Sequence, residues 1–557
     1  MAFRQSHPTR SADDNNGRLQ TTVLVVWRVA LRAAALGVWC GAALAVAPSP
    51  YAGHGGAVLT NGGVSFRVWA PHAAKAAVAG TFNAWSSTAH PLAPDDGTSN
   101  YWSIFISGVA AGAQYKFVVN DTLWRIDPWT REIVYSAGSG NAVLKNPARS
   151  WAAFTRPHAG ATVLYELHVG TFNNGTFADV INKADYLQRL GVSAVEIMPP
   201  AEFNGDRSWG YNPVCPFALE SVYGGYDAFR TLVDALHQRG IAVYVDVVYN
   251  HIEGEVLWQA DGWSMGSHVC GIDSNTYQHG GVFYYDWTGS PAERWHTTWG
   301  HNRPNYSRPE VTNYIIGNIL YWLQEMNCDG IRMDSTISMR WLETGYINET
   351  PPFLRALNNA CAAQAPGAII IAEDLQRWDG VTDKSGGGLG FDSQWNDYFV
   401  DSIRNEMKKS NDADRDMSVL QTCVQSTEHG RAFATVKYSE SHDDAANGQQ
   451  RLNVEIDSPG ISYYAKKRST LAAAIALTAP GIPMLLQGQE FLEDGFFSDS
   501  DPLDWTKVNT YGGILRLYHD LLRLRCNRDG ISGGLTGAYV NVHFVDAANK
   551  LMAYRRW

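Results

Sequence analysis

From about residue 160 to residue 530 the chain repeats one pattern: a short apolar run of strand character, then a segment with apolar residues at helical spacing. The strand-like runs are "VLYELHVGTF" (163–172), "AVEIMPP" (194–200), "IAVYVDVVYNH" (241–251), "GIRMDS" (330–335), "AIIIAED" (368–374), "ATVKYSESHDD" (434–444) and "IPMLLQGQE" (482–490), with "FDSQWN" (391–396) a weaker candidate. Between them lie "FADVINKADYLQRLG", with Val180, Ala184, Leu187 and Leu190 on one face and Gly191 as a stop, and "YDAFRTLVDALHQRG", with Phe229, Leu232, Val233 and Leu236 on one face. "VTNYIIGNILYWLQEMN", "PFLRALNNACAAQ" and "RSTLAAAIALT" continue the alternation. About eight strand-then-helix units predict an α/β protein whose main domain, 155–530, is a closed (β/α)8 barrel. An open doubly wound sheet is the alternative, but no Gly-x-Gly-x-x-Gly follows any of the strands. A Trp- and Gly-rich insertion, 251–309, follows the third strand, and loops of that length are usually functional.

Outside the repeat the pattern changes. Residues 53–150 carry short alternating runs, "VSFRVWA", "KAAVAG", "YWSIFIS" and "YKFVVN", separated by Gly, Pro, Asn and Asp, and predict a small β-sandwich. Trp69, Trp85, Tyr101, Trp102 and Trp124 either fill its core or offer flat faces to sugar rings. After "ILRLYHDLLRLRC" two weak strands, "GAYVNVHFVD" and "KLMAYRRW", read as the start of a truncated C-terminal β domain over 531–557. Residues 1–52 form a leader: "AAALGVWCGAALAVA" (33–47) is uncharged, apolar and preceded by Arg28 and Arg32. It fits a signal peptide, which implies a secreted or periplasmic protein. A misassigned start near residue 50 implies a cytoplasmic one. The run is short for a membrane span, and no membrane association is expected beyond that signal.

The net charge of −11 argues against a nucleic-acid partner, which demands basic patches. Seven cysteines (Cys40, Cys215, Cys270, Cys328, Cys361, Cys423, Cys526) are too sparse for a disulfide framework and lack zinc-type spacing, so most are expected as buried free thiols.

Barrel active sites sit at the C-terminal ends of the strands, and the charged residues of these strands gather there. Strand 3 ends in Asp246, Asn250 and His251. Strand 4 carries Arg332 and Asp334, two residues apart and so on one face of an element that should be core. Strand 5 ends in Glu373 and Asp374, and strand 7 in Glu440, His442, Asp443 and Asp444. A single such residue is more often a cap or a structural pair. Four strands doing this at one end point to a site. Clustered carboxylates serve divalent cations or glycoside chemistry, which needs a nucleophilic carboxylate and a protonated acid. A guanidinium beside Asp334 keeps it ionised, and the apolar run before Glu373 favours a protonated acid.

In this order, "DVVYNH", "GIRMDS", "IAED" and "ESHDD" resemble the four signature regions of the α-amylase family, glycoside hydrolase family 13, and "GIPMLLQGQE" resembles a further segment near strand 8. "FRVWAP" and "AGTFNAWS" resemble the family-48 carbohydrate-binding module, and "YELHVGTF" and "SWGYNP" resemble glycogen branching enzymes. The resemblance implies Asp334 as nucleophile, Glu373 as general acid/base and Asp443 as the carboxylate that stabilises the transition state. It also implies His251 and His442 on the sugar of the −1 subsite, Arg332 beside the nucleophile, Tyr211 stacked on that sugar and Asp246 in support. Ser335 stands where alanine is common, and Asp444 where many branching enzymes have glutamate. Asn250 matches a calcium-binding position of many amylases, yet no cofactor or required metal is expected. The implied partner is an α-glucan: glycogen, starch or a maltooligosaccharide. The implied reaction is 1,4-α-glucan branching. An amylase or maltooligosyltrehalose trehalohydrolase would use the same residues with water, and a non-catalytic glucan-binding protein is a third reading.

Overall fold

The computed structural model describes residues 55–557 except 72, 96–99, 137–138, 253–282, 286–293, 298, 300–301, 343, 377 and 428–429. The leader, Cys40, Cys270 and most of the insertion after strand 3 lie outside the described residues. Eight parallel strands close into a barrel. They are β1 (Leu164–Leu167), β2 (Ala194–Ile197), β3 (Ala242–Val247), β4 (Gly330–Met333), β5 (Ile369–Ala372), β6 (Ser393–Trp395), β7 (Thr435–Lys437) and β8 (Ile482–Leu486). Each pairs with the next, and Leu164, Tyr165 and Glu166 of β1 pair with Met484, Leu485 and Leu486 of β8 to close the ring.

The strands are shorter than the apolar runs that announced them. The ladder stops where the polar residues begin, so Asp334, Glu373 and His442 stand on the loops that leave the strand ends. Side-chain parity explains why charge reaches the barrel interior. Leu164, Ala194, Ala242, Tyr244, Ile369, Ile371, Trp395, Val436, Ile482 and Met484 form one apolar cluster inside the barrel. Their neighbours of opposite parity, among them Val195, Val243, Val245, Ile331, Met333 and Ile370, join the layer under the helices. Glu166, Glu196, Asp246 and Arg332 share the interior parity, and all are at most 3% exposed. Gly330 begins β4 because a Cβ there would meet the Tyr244 ring at 2.1 Å and the Ile369 carbonyl oxygen at 2.7 Å.

Helices follow most strands, as the spacing predicted. Phe177–Asn182 and Ala184–Leu190 follow β1, Gly225–His237 follows β2, Pro309–Leu320 follows β3 and Thr350–Gln364 follows β4. Asp397–Lys408 and Met417–Gln425 follow β6, Tyr463–Thr478 follows β7 and Gly512–Arg525 follows β8. The predicted stop at Gly191 is a left-handed residue (φ 97°) whose N–H bonds the Leu187 carbonyl. The unit after β5 departs from the repeat. Among the described residues, β5 and β6 are joined by the 3₁₀ turn Asp379–Val381 and no α-helix. The Gly-rich stretch "KSGGGLG" (384–390) cannot pay the entropy of a helix, and Val381, Leu389 and Phe391 fill the space instead.

The N-terminal region is two antiparallel sheets, one of Gly56–Thr60, Gly63–Trp69, Tyr101–Ser107 and Ala93–Pro94, the other built on Ala76–Gly80 and Gln114–Val119. Trp69 is buried, whereas Trp124 is 38% exposed, so the aromatic residues divide between core and surface. This region docks on the barrel through Arg131, whose guanidinium bonds both carboxylate oxygens of Glu325 at 3.0 and 3.2 Å. The strands Val540–Asp546 and Leu551–Arg556 form a hairpin packed on the cluster around Met417–Gln425. Cys215, Cys328, Cys361 and Cys423 are buried free thiols, and Cys526 is a partly buried one. Among the described residues, no helix is long and apolar enough to cross a membrane.

Candidate active site

Arg332 is the centre of the barrel mouth. It is fully buried, and its guanidinium faces carboxyl groups on β3 and on the loops that leave β4 and β5. Nη1 donates to Asp246 Oδ2 at 2.6 Å and to Asp334 Oδ1 at 3.0 Å. Nη2 lies 3.0 Å from Glu373 Oε2, an ionic contact without hydrogen-bond alignment. The guanidinium stands 4.5 Å over the Trp395 ring. A buried cation facing three carboxyl groups cannot neutralise them all, so some must stay protonated. Burial raises Asp246 to about 7, despite Arg332. Burial raises Glu373 as well; Arg332 pulls it back, Asp334 and Asp443 push it up again, and it ends at about 8. Asp334 differs in its donors: Asn250 Nδ2 bonds Oδ2 at 2.6 Å, so each carboxylate oxygen has a partner.

The loops set the remaining geometry. Ser335 follows Asp334 in the left-handed region (φ 37°, ψ 56°), unusual for a non-glycine residue. That turn ends the strand, and the Ser335 N–H donates to Glu373 Oε2 at 2.7 Å. Tyr211 arrives on the turn of a hairpin formed by Ala201–Phe203 and Pro213–Leu219. Its hydroxyl donates to Asp246 Oδ2 at 2.7 Å, and its ring stacks on His442 with centroids 5.0 Å apart and planes 21° apart. His442 Nδ1 lies 2.6 Å from Glu166 Oε1, and its Nε2 lies 3.5 Å from Asp443 Oδ1. The Asp443 side chain is 43% exposed and accepts a bond from Asn447 Nδ2 at 2.9 Å. The mouth therefore presents Asp334, Glu373 and Asp443 from three different loops around one buried cation.

A comparison of the sequence with known families agrees with this architecture. The profile described as "Alpha amylase, catalytic domain" matches residues 137–509. The chain belongs to the α-amylase family. A second profile, "Carbohydrate-binding module 48 (Isoamylase N-terminal domain)", matches residues 54–130, the two-sheet region. The 1,4-alpha-glucan branching enzyme GlgB of Corynebacterium jeikeium is 31% identical over 522 residues, covering 84% of this chain and 68% of that protein. GlgB 2 of Xanthomonas euvesicatoria pv. vesicatoria is 30% identical over 504 residues, covering 82% of this chain and 63% of that protein. The chain thus spans about two thirds of the length of these curated relatives. Among solved structures, the pullulanase of Anoxybacillus sp. LM18-11 complexed with maltotriose superposes with TM-score 0.70 at 20% identity, covering 90% of this chain and 77% of that one. The maltotetraose complex of that pullulanase gives 0.68, also at 20% identity, with 90% and 78% covered. These structural likenesses concern the fold.

Within this α-amylase-family barrel, all eight residues singled out from the sequence gather at one mouth. Both ring nitrogens of His251 have protein partners: Nδ1 lies 2.6 Å from Asn250 Oδ1 and Nε2 lies 2.7 Å from the Tyr211 carbonyl oxygen. It ties the strand 3 loop to the hairpin that carries Tyr211. Asn250, at the position that binds calcium in many amylases, spends its side chain on Asp334 and His251. Among the described residues, no group of three or more His, Cys, Asp or Glu side chains is arranged to hold a metal ion. Sequence reasoning passed over Glu166 and Glu196. Both were visible as lone charges inside apolar strands, the same signal that drew attention to Arg332. Glu196 sits beside Glu166 and Asp246, and burial together with those two holds its carboxyl well above the ordinary range, as a neutral acid.

Proposed function

We propose that the protein is a retaining 1,4-α-glucan branching enzyme. The observation that carries the mechanism is the unequal treatment of two carboxyl groups around one guanidinium. Asp334 is paired on both oxygens with Arg332 and Asn250, an arrangement that suits an anionic nucleophile. Glu373 is raised to about 8 by burial and its neighbours, which keeps it a proton donor at neutral pH. Asp334 attacks the anomeric carbon of an α-1,4-linked glucosyl unit. Glu373 gives its proton to the departing 4-oxygen. A β-glucosyl ester on Asp334 results, and the released chain leaves with a new 4-hydroxyl. Glu373, now a carboxylate, takes the proton of an acceptor 6-hydroxyl, whose oxygen displaces Asp334 and restores the α-configuration. Asp443, beside His442, grips the hydroxyls of the reacting sugar as charge develops at the ring. Tyr211, stacked on His442, forms the floor on which that sugar lies.

The choice of a glucan acceptor over water is supported by the branching-enzyme relatives, which are about 30% identical over most of the chain. The module supports a polymeric substrate. Trp85 and Trp124 of that module lie with ring centroids 6.4 Å apart and planes 43° apart, and Trp124 is 38% exposed, so the pair offers apolar ring faces to a glucan chain. Hydrolysis is the competing reading, because Asp334, Glu373 and Asp443 would serve water equally well. Incubation with amylose separates the two. Branching produces α-1,6 linkages, counted by proton NMR, with few new reducing ends. Reducing ends that rise without α-1,6 linkages would sink the branching assignment.

A further inference from the structure

We propose that Glu166 is a positioning residue for this reaction: it holds His442 as an imidazolium, with Nε2 turned to Asp443 and the reacting sugar. The proposal rests on the reading of Asp334, Glu373 and Asp443 as the catalytic groups. Glu166 belongs to β1, while His442 stands beyond the end of β7, with β8 between them. The carboxylate reaches across the barrel interior and clamps its target twice. Oε1 lies 2.6 Å from the ring Nδ1, and Oε2 accepts the His442 backbone N–H at 3.0 Å. Both residues are at most 2% exposed, so the pair is shielded from solvent. One side chain thereby fixes the ring and the stretch of loop that carries Asp443.

A neutral acceptor would suffice to orient an imidazole. A buried carboxylate does more, since it also sets the charge. The groups facing His442 are Glu166 from β1, Glu196 from β2, Arg332 from β4, His168 from the β1 loop and Asp443 next to it. Glu196 is held neutral, and burial lowers His168 to about 4, so neither carries charge near neutral pH. Arg332 is shared among Asp246, Asp334 and Glu373. Burial and Arg332 both disfavour a cationic His442, but Asp443 and Glu166 outweigh them and raise it to about 10. The ring is packed among aromatic side chains: Tyr211 is stacked on it, and Trp209 and Trp395 meet it edge-on at 5.6 and 6.1 Å. Its Nε2–H is then a charged donor fixed 3.5 Å from Asp443 Oδ1, placed to donate to that carboxylate and to a sugar hydroxyl oxygen, so that both are held in position for the reaction.

The test uses the full chain with amylose or a long maltooligosaccharide as substrate. Glu166→Gln keeps the size and an accepting oxygen but removes the charge, so His442 loses its proton within the assay range. The expected result is a fall in kcat of at least about tenfold at pH 7, with the alkaline limb of kcat/KM moved toward acid by at least about one pH unit. Glu166→Asp keeps the charge at a longer distance and moves the limb part of the way; it carries the test if the glutamine variant does not fold. A purely structural Glu166 would lower the melting temperature and activity in both variants and leave the limb where it was, which overturns the proposal. Wild-type kcat in Glu166→Gln overturns it too. Asp334→Ala, run alongside, separates the two failures: turnover surviving that change removes the catalytic reading itself, and the Glu166 proposal with it.

Discussion

Glu373→Gln tests the electrostatic account most fully, because it makes opposite demands on activity and stability. Glutamine has the shape of the neutral acid but cannot give a proton, so turnover of glucan should fall close to background. Stability should move the other way at alkaline pH. The ordinary carboxyl value is 4.5, and Glu373 is raised to about 8 in the folded protein, chiefly by burial. A group raised on folding contributes stability that is fully present below its unfolded value and lost as pH rises through its folded value. The interval between 4.5 and about 8 corresponds to roughly 5 kcal/mol. At pH 5 the two proteins should therefore unfold at nearly the same temperature. At pH 9 the glutamine variant should be the more stable by several kcal/mol, since only the wild type must bury a charge there. Thermal unfolding of both proteins at pH 5, 7 and 9 reads this difference directly. The same raised value sets the alkaline limb of wild-type kcat/KM near 8. A stability gap that does not grow with pH, or full wild-type activity at pH 10, would refute the reasoning.

Other residues give narrower tests. Asn250→Ala removes the donor to Asp334 Oδ2 and the anchor of His251, and should lower kcat on the order of tenfold or more, the scale for losing a positioned hydrogen bond to a charged group; steady-state kinetics checks it. Gly330→Ala places a methyl 2.1 Å from the Tyr244 ring and should destabilise the barrel by at least about 1–3 kcal/mol, read as a lower melting temperature. Trp85→Ala combined with Trp124→Ala should weaken retention of the protein on immobilised amylose and raise KM for polymer more than for maltooligosaccharides.

The fold was legible because a strand-then-helix repeat leaves few architectures open, and eight parallel strands do close into a ring. Strand ends were harder to place. Apolar runs continue into polar residues without a break in "IIIAED" or "KYSESHDD", and only the ladder shows that the polar part has left the sheet. No helical segment was legible between "AIIIAED" and "FDSQWN", where "KSGGGLG" lacks both helix formers and an apolar stripe, and the described residues there form no α-helix. The convergence of Arg332, Asp334, Glu373, His442 and Asp443 was readable from strand order alone. The double use of Asn250 and the turn of His251 toward the Tyr211 carbonyl were not, because they depend on where the hairpin tip lands. Glu166 and Glu196 escaped notice because one buried carboxyl in an apolar strand usually signals a structural pair. Their meaning appears only when the closed barrel brings β1 and β2 against Asp246, Arg332 and His442.

The central claim is that Asp334 carries the sugar between the two half-reactions. Trapping that intermediate tests it most directly. α-Glucosyl fluoride needs no protonation of its leaving group, so Glu373→Gln should still be glycosylated, and it should then turn over slowly for want of a base. Mass spectrometry of that variant should show one added glucosyl unit on the peptide containing Asp334, and none when Asp334→Ala is added. No adduct, or an adduct on any other residue, would contradict the account.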